Sequence, residues 1–415
     1  MPTSDNILTQ VITYQESGLA YLQNLNCFIS TANTKFKDFE NLEANLGSTV
    51  SFDLPPRFTV TNSLVATFQP AAQRVHNLTC EEQGSVSYAF SEQQFLFNTR
   101  DYMEKFGKGA TEELSAQIEA NVGQLCVTAP YRFYGDGVAQ ISSYQQLAAA
   151  WALFDEYGSA KGNRKGYLHN LSIPGIINSG LQQFALERNN KDAMSWELGR
   201  FDECDWYRSN LLPVHIAGSE GQAASTLTVV SVTKDSDDAV ISITFSGTSA
   251  ANDADSIKQY DKFQFDDGVV NQPNLRFRTF VGHQVSGSPV QFKATANAGS
   301  TAGSQVTVLV DPPLKASAGR NQNLNFEIAA GMQVSVLPSH RAGMLTAGNP
   351  LFLAMPTLSK QTPFPTANKS DKDTGVSMRM YFGTLFGQNQ QGIVHDCLWG
   401  KTLPGDYAMS MIFPL

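Results

Sequence analysis

Six histidines (His76, His169, His215, His283, His340, His395) and five cysteines (Cys27, Cys80, Cys126, Cys204, Cys397) are the residues from which metal or nucleophile chemistry would have to be built. His76 and Cys80 have a spacing that one helical turn brings to a common ion, and His395-Asp396-Cys397 sets three candidate ligands in a row. Neither group has the second pair that a closed zinc site requires. Alternation along a strand also sends His395 and Cys397 to one face and Asp396 to the other. Packed cysteines and partly buried histidines are therefore expected, with no metal and no cofactor. The cysteines are odd in number and widely separated, which reads as free thiols in a reducing compartment.

Other chemistry fares no better. The chain has no Gly-x-Ser-x-Gly elbow and no His-Glu-x-x-His motif. Gly107-Lys108-Gly109 lacks the glycine spacing of a phosphate loop and reads as a loop entering a helix. Lys161-Gly162-Asn163-Arg164-Lys165 is a short basic run of the kind that is usually a solvated loop. Asp235, Asp237 and Asp238 after Lys234 lack the glycine and distal glutamate of an EF-hand, so a charged hairpin tip is the better reading. No catalytic residue is assigned, and the chain is not expected to be an enzyme.

The elements around these residues divide the chain. Ser4 to about Leu25 carries apolar residues at a helical period interrupted by Gly18, an amphipathic arm with little core of its own. Residues 47–68 alternate around Phe52 and Phe58 with a Pro55-Pro56 break, and Ser85 to Phe97 is a second extended stretch after a polar turn at Glu81 to Gly84. Together they form a long hairpin that cannot bury both faces by itself. A helix is predicted from about Thr111 to Gln124, with Thr111 as N-cap and Leu114, Ile118, Val122 and Leu125 as its stripe. A second helix spans Gln145 to Tyr157 after Ser143, and a third follows Pro174 through Leu181, Phe184 and Leu186.

From about Gly218 short alternating runs separated by Gly, Ser, Asn and Asp turns predict a discrete antiparallel β-barrel. After residue 331 apolar strands resume, with a polar loop at Lys360 to Thr374 and alternation at Val376, Met378 and Met380. Val394 to Trp399 and Tyr407 to Phe413 read as a closing hairpin turned by Leu403-Pro404-Gly405-Asp406. No internal repeat is apparent.

Composition bounds the function. At 415 residues the chain can hold two or three domains, and its 16% charged residues compare with roughly 25% in an average soluble domain. With 29 Lys plus Arg against 38 Asp plus Glu, the net charge of −9 excludes a histone-like or polybasic role. No window has the apolar length of a membrane span and the N-terminus has no leader pattern, so a soluble, cytosolic product is expected. A polar, weakly charged chain with an unsupported arm and hairpin is suited to contact with copies of itself.

The order of parts resembles the major capsid (coat) proteins of tailed bacteriophages with the Hong Kong 97 fold. More narrowly, it is similar to the coat proteins of short-tailed Salmonella phages, which carry an inserted β-barrel domain. Ile118 to Pro130 resembles the end and exit of that family's spine helix, and Gly199 to Asp205 with Asn210 to Val214 the segment before the insertion. Tyr260 to Phe265 and Gln305 to Val308 resemble strands of the barrel, and Asp396 to Gly400 the closing strands. The autocatalytic Lys-Asn cross-link of another branch is not carried over.

The resemblance implies an α+β fold divided as N-terminal arm 1–45, extended loop 46–100, spine helix 101–130, apical domain 131–217, inserted barrel 218–330, and return with closing strands 331–415. It implies a shell of hexamers and pentamers assembled with a scaffolding protein, filled with double-stranded DNA through a portal, and holding that DNA only non-specifically. A lumen rich in Lys and Arg would hinder packaging, and a mildly acidic subunit agrees with that. Assembly would occur in the host cytoplasm, the product being the virion capsid. Phe52, Phe58, Lys234, Asp235, Asp237 and Asp238 are the expected contacts between subunits, the last four because the relatives use a charged hairpin of the inserted domain. Charged residues at Phe52 and Phe58, or loss of residues 1–25, should leave a soluble subunit that forms no shells. An encapsulin-type nanocompartment shell and a β-rich tail or receptor-binding protein are the alternatives.

Overall fold

The computed structural model describes residues 27–34, 49–60, 64, 68–69, 73–158, 162–181, 200–201, 203–267, 274–279, 281–359, 364, 366–370, 377–385 and 390–415. The arm up to Leu25, and Phe184 and Leu186 of the third predicted helix, lie outside them. The chain forms two compact units, one of Met1–Asp53, Val75–Leu125 and Pro350–Leu403, the other of Leu54–Arg74, Cys126–Asn349 and Pro404–Leu415.

In the first unit, the strand Arg74–Ser91 runs antiparallel to Gln390–Thr402 from Cys80 opposite Gly400 to Ser91 opposite Gln390. Thr49–Leu54 extends this sheet on one side, Ser377–Leu385 and Thr366–Ser370 on the other, and Phe352–Ala354 also pairs with Gln390–Thr402. Arg379 and Asp396 stand directly opposite one another, both buried. The guanidinium donates to both carboxylate oxygens, a fork geometry that satisfies two charges removed from water.

The helix Glu92–Gly123 buries Leu114, Ile118 and Val122, with Thr111, Ser115 and Glu119 alongside, the i, i+3, i+4 stripe of an amphipathic helix. Trp399 lies over Gly84, where any side chain would come within 2.8 Å of the ring, and its Nε1 donates to Asn121 Oδ1 at 3.1 Å. Glu119 accepts from the backbone N–H groups of Cys27 (2.9 Å), Phe28 (2.8 Å) and Ile29 (3.2 Å), capping the short helix Cys27–Thr31. Burial pushes the Glu119 carboxyl up, and these N–H groups pull it part of the way back.

The second unit holds a seven-stranded sheet in the order Phe133–Tyr134, Ala408–Phe413, His340–Thr346, Arg164–His169, Cys204–Ser209 and Arg200–Phe201, with Val214–His215 also on His340–Thr346. All six residues of Ala408–Phe413 are buried, as expected of a continuous apolar strand covered on both faces. The helix Tyr144–Glu156 opens with a capping box between Ser143 and Gln146 and buries Leu147, Ala150, Trp151 and Phe154.

A closed antiparallel barrel leaves and re-enters this sheet at His215 and His340, which face each other in register. Its strands run Lys262–Phe265, Gln291–Ala294, Gln305–Leu314, Val240–Ser246, Thr226–Lys234 and Gln333–Val336 around the cylinder. Phe245, Phe263 and Phe292 stack within it, with centroids 5.0 to 6.4 Å apart. Side chains tie the barrel to the sheet. Gln291 accepts from the Phe133 N–H at 2.9 Å and donates to its carbonyl at 3.0 Å, Lys293 Nζ reaches the carbonyls of Thr128 and Ala129, and fully buried Lys262 donates to Ser410 Oγ. Burial and nearby Lys293 hold the Lys262 ammonium well below the ordinary lysine value.

Several sequence expectations need correction. The long helix begins at Glu92 rather than Thr111, so Thr111 is an interior residue whose hydroxyl donates to the Gly107 carbonyl at 2.9 Å, and Gly107-Lys108-Gly109 is helical. Glu81 to Gly84 is not a turn; Arg74–Ser91 runs straight through it, with only a register shift between Cys80 and Glu82. Val394 to Trp399 and Tyr407 to Phe413 are not a hairpin, because Gln390–Thr402 and Ala408–Phe413 belong to different sheets. Gln333–Val336 closes the barrel rather than following it, and Thr366–Ser370 is a strand within the expected polar loop. After Pro174 the helical turns Ile173–Ile176 and Ile177–Leu181 are short.

Candidate functional site

The candidate ligand groups are held apart by partners of their own. His76 lies on a strand rather than a helix, with Nε2 2.8 Å from Thr402 Oγ1. His395 is buried beside Tyr88 and pushed down to about 4 by desolvation, burial raises the Cys397 thiol, and Asp396 is committed to Arg379. Burial likewise raises the Cys80 thiol to about 11, and none of the five cysteines is in a disulfide. Among the described residues no three His, Cys, Asp or Glu side chains are grouped to hold a metal ion. Of the short basic run, Arg164 pairs with Asp155 and stacks on Trp151, and Lys165 Nζ donates to Asn349 Oδ1; Lys161 lies outside the described residues.

The expected contact residues fall into three environments. Phe52 is turned into its own unit, 4.5 Å from the Phe352 ring and 5.4 Å from His76, against Leu78, Cys80 and Ala354. Phe58 is 53% exposed, and the same connection carries Val60 at 88%, Leu64 fully in water and Phe68 at 97%. Four apolar side chains within eleven residues are thus left uncovered by the chain that carries them. Sequence reasoning found Phe58 and missed the prominence of the other three.

Lys234 and the three aspartates form the tip between Thr226–Lys234 and Val240–Ser246. Asp235 Oδ1 accepts from the N–H groups of Asp237 (2.9 Å) and Ala239 (2.8 Å), an Asx turn in place of a calcium loop. Lys234 Nζ lies 2.9 Å from Asp238 and 3.0 Å from Glu327, which raises the ammonium and lowers the Asp238 carboxyl. Asp235 and Asp237 are exposed.

The base of the exposed connection was not anticipated. Asp406 Oδ2 accepts from Arg57 Nη2 at 2.5 Å and from Arg74 Nη2 at 2.6 Å, and Oδ1 accepts from the Tyr131 hydroxyl at 3.2 Å. Arg132 Nη2 donates to that hydroxyl at 2.7 Å, and its guanidinium lies over the rings of Tyr157 (4.4 Å) and Phe277 (5.2 Å). Asp406 is held below the usual carboxylate range: burial opposes ionisation, and Arg57, Arg132 and Arg74 outweigh it. Arg57, Arg74, Tyr131 and Asp406 are far apart in sequence, and no local pattern announces them.

No protein-family model matches the chain, and no curated protein matches it. Solved structures with a similar course of chain come from Mycobacterium phage Che8 (TM-score 0.46, 6% identity, 93% of this chain and 90% of that one). Others are the capsid of Ralstonia phage GP4 (TM-score 0.42, 8% identity, 93% and 87%) and the capsid of cyanophage P-SCSP1u (TM-score 0.41, 10% identity, 92% and 89%).

Proposed function

We propose that this chain is the major capsid protein of a tailed phage, a subunit that assembles into the icosahedral head shell around packaged double-stranded DNA. The observation that carries this reading is the connection with Phe58, Val60, Leu64 and Phe68, whose apolar surface the chain leaves in water. Surface of that kind on one stretch marks a place made for other protein. The order of a long hairpin, a 32-residue helix, a sheet interrupted by a barrel and returning strands supports the Hong Kong 97-type fold with an inserted domain.

In that role the subunit forms hexamers and pentamers, each extended segment ordered by burial against a neighbour. A scaffolding protein and a portal are its assembly partners. The net charge of −9 suits a shell that contains DNA without gripping its phosphates. The role is structural, in the host cytoplasm during assembly and in the virion afterwards.

Negative-stain electron microscopy of the protein expressed alone, and again with the products of the adjacent genes, tests the reading. Closed or aberrant shells are the expected result. A monodisperse monomer or small oligomer under both conditions overturns it. Shells that enclose an enzyme in place of DNA would give the nanocompartment alternative, and fibrous or trimeric particles the tail-protein one.

A further inference from the structure

Two guanidiniums converge on one carboxylate at the base of the exposed connection, and a third reaches it through a tyrosine hydroxyl. Arg57 and Arg74 bound that connection, and both donate to the same Asp406 oxygen, at 2.5 and 2.6 Å. The carboxylate is presented from a fixed support. Gly405 abuts the Ala129 carbonyl so closely that a Cβ would lie 2.7 Å from it, Tyr407 N–H bonds Pro404, and the buried strand Ala408–Phe413 follows at once. The two legs are joined to each other, Gln69 accepting from the Thr59 N–H at 3.0 Å and donating to its carbonyl at 2.6 Å, while Val60, Leu64 and Phe68 stand in water. Arg132, fully buried, adds a third positive charge through Tyr131.

We propose that Asp406 is an electrostatic latch that gathers both legs of the 57–74 connection onto the sheet and is the point from which the connection is released. One negative charge serves three positive ones, so the latch is oversubscribed. Without that charge, Arg57, Arg74 and Arg132 repel one another in a half-buried site and the legs, still joined through Thr59 and Gln69, leave the sheet together. With it, the direction in which the apolar side chains point is tied to the sheet. The inference concerns the isolated subunit and does not depend on the shell reading.

Limited trypsin digestion of the full chain reads the latch directly, because the bonds after Arg57 and Arg74 are themselves substrates. Asp406→Asn should speed cleavage at both bonds by about tenfold or more, while cleavage after Lys262 in the buried junction stays unchanged and Asp406→Glu restores the slow rate. Arg57→Gln supplies the second arm. The remaining arginine keeps the whole carboxylate and loses a like-charged neighbour, so cleavage after Arg74 should be no faster than in the parent. Equal rates in Asp406→Asn and the parent overturn the latch. So does acceleration at Lys262 in step with the two arginines, which marks Asp406 as a general stabiliser, and so does Arg57→Gln behaving like Asp406→Asn.

Discussion

The barrel and the 57–74 connection are built from the same kinds of side chain and use them in opposite ways. Phe245, Phe263 and Phe292 stack inside a closed cylinder, where no sheet edge remains open. Val60, Leu64 and Phe68 face water almost entirely and Phe58 by about half, so they bury little apolar area within the chain. The barrel's apolar area is removed from water by the chain itself, and the connection's is left in it. Substitutions should therefore separate the two regions: one set changes unfolding and the other changes only association.

The largest effect is expected in the barrel. Phe263→Ala removes a fully buried ring from a stack of three and should lower unfolding free energy by about 3–5 kcal/mol, read by urea titration of the full chain. A loss below about 1 kcal/mol would mean that the stack is loosely packed and the contrast overstated.

A proton should also distinguish the regions. His340 is buried beside Lys262, and burial first and that ammonium second push it down to about 3, while its Nδ1 is committed to the Pro338 carbonyl at 2.8 Å. The folded value lies below the unfolded one of about 6.5, so the unfolded state binds the proton first as pH falls. Stability is complete above pH ~6.5 and is lost on acidification towards the folded value, at up to about 1.4 kcal/mol per pH unit. Urea midpoints at pH 7, 6 and 5 should fall for the parent, and His340→Gln should remove one proton's worth of that slope. An unchanged slope in the variant would take His340 out of the account. The latch lacks this sensitivity between pH 7 and 5, because Asp406 is held below the usual carboxylate range and stays charged there.

Phe52 and Phe58 sharpen the comparison at the boundary between the two behaviours. Both were expected to make contacts between subunits, but Phe52 packs on Phe352 and His76. Phe52→Ala should lower stability by about 1–3 kcal/mol. Phe58→Ser and Leu64→Ser should stay within about 0.5 kcal/mol of the parent by the same titration and still abolish shells in electron micrographs. Normal particles from the Leu64 variant would remove the connection from the assembly surface.

The difference between these phenylalanines shows what a sequence discloses. Alternation of apolar and polar residues repeats every second position, so the barrel was visible as a run of short strands, as was the Leu114, Ile118, Val122 stripe, whereas the barrel strand Lys262–Phe265 came only through the family resemblance. The first half of the long helix was not, because Gly107 and Gly109 each weaken helix propensity by about 1 kcal/mol and broke the pattern. Adjacent strands joined by a Pro-Gly turn suggest a hairpin, yet Gln390–Thr402 and Ala408–Phe413 found partners elsewhere. Asp406 was read as a turn residue, since its three nearest donors come from residues 57, 74 and 131 and no periodicity connects them.

The smallest effect belongs to the barrel's own exposed end. Lys234 sits between Asp238 and Glu327 at the tip, and all three remain in contact with solvent, where water and salt already screen the charges. Lys234→Ala should leave the thermal midpoint of the subunit where it was, because the turn itself is held by Asp235 and the N–H groups of Asp237 and Ala239. If the tip meets a neighbouring capsomer, the same variant should lose particle yield, and the loss should grow as ionic strength is lowered and charge pairing matters more. A midpoint that falls with the yield would make the tip part of the barrel's internal stability, and the division between a region that folds and a region that associates would have to be drawn below it.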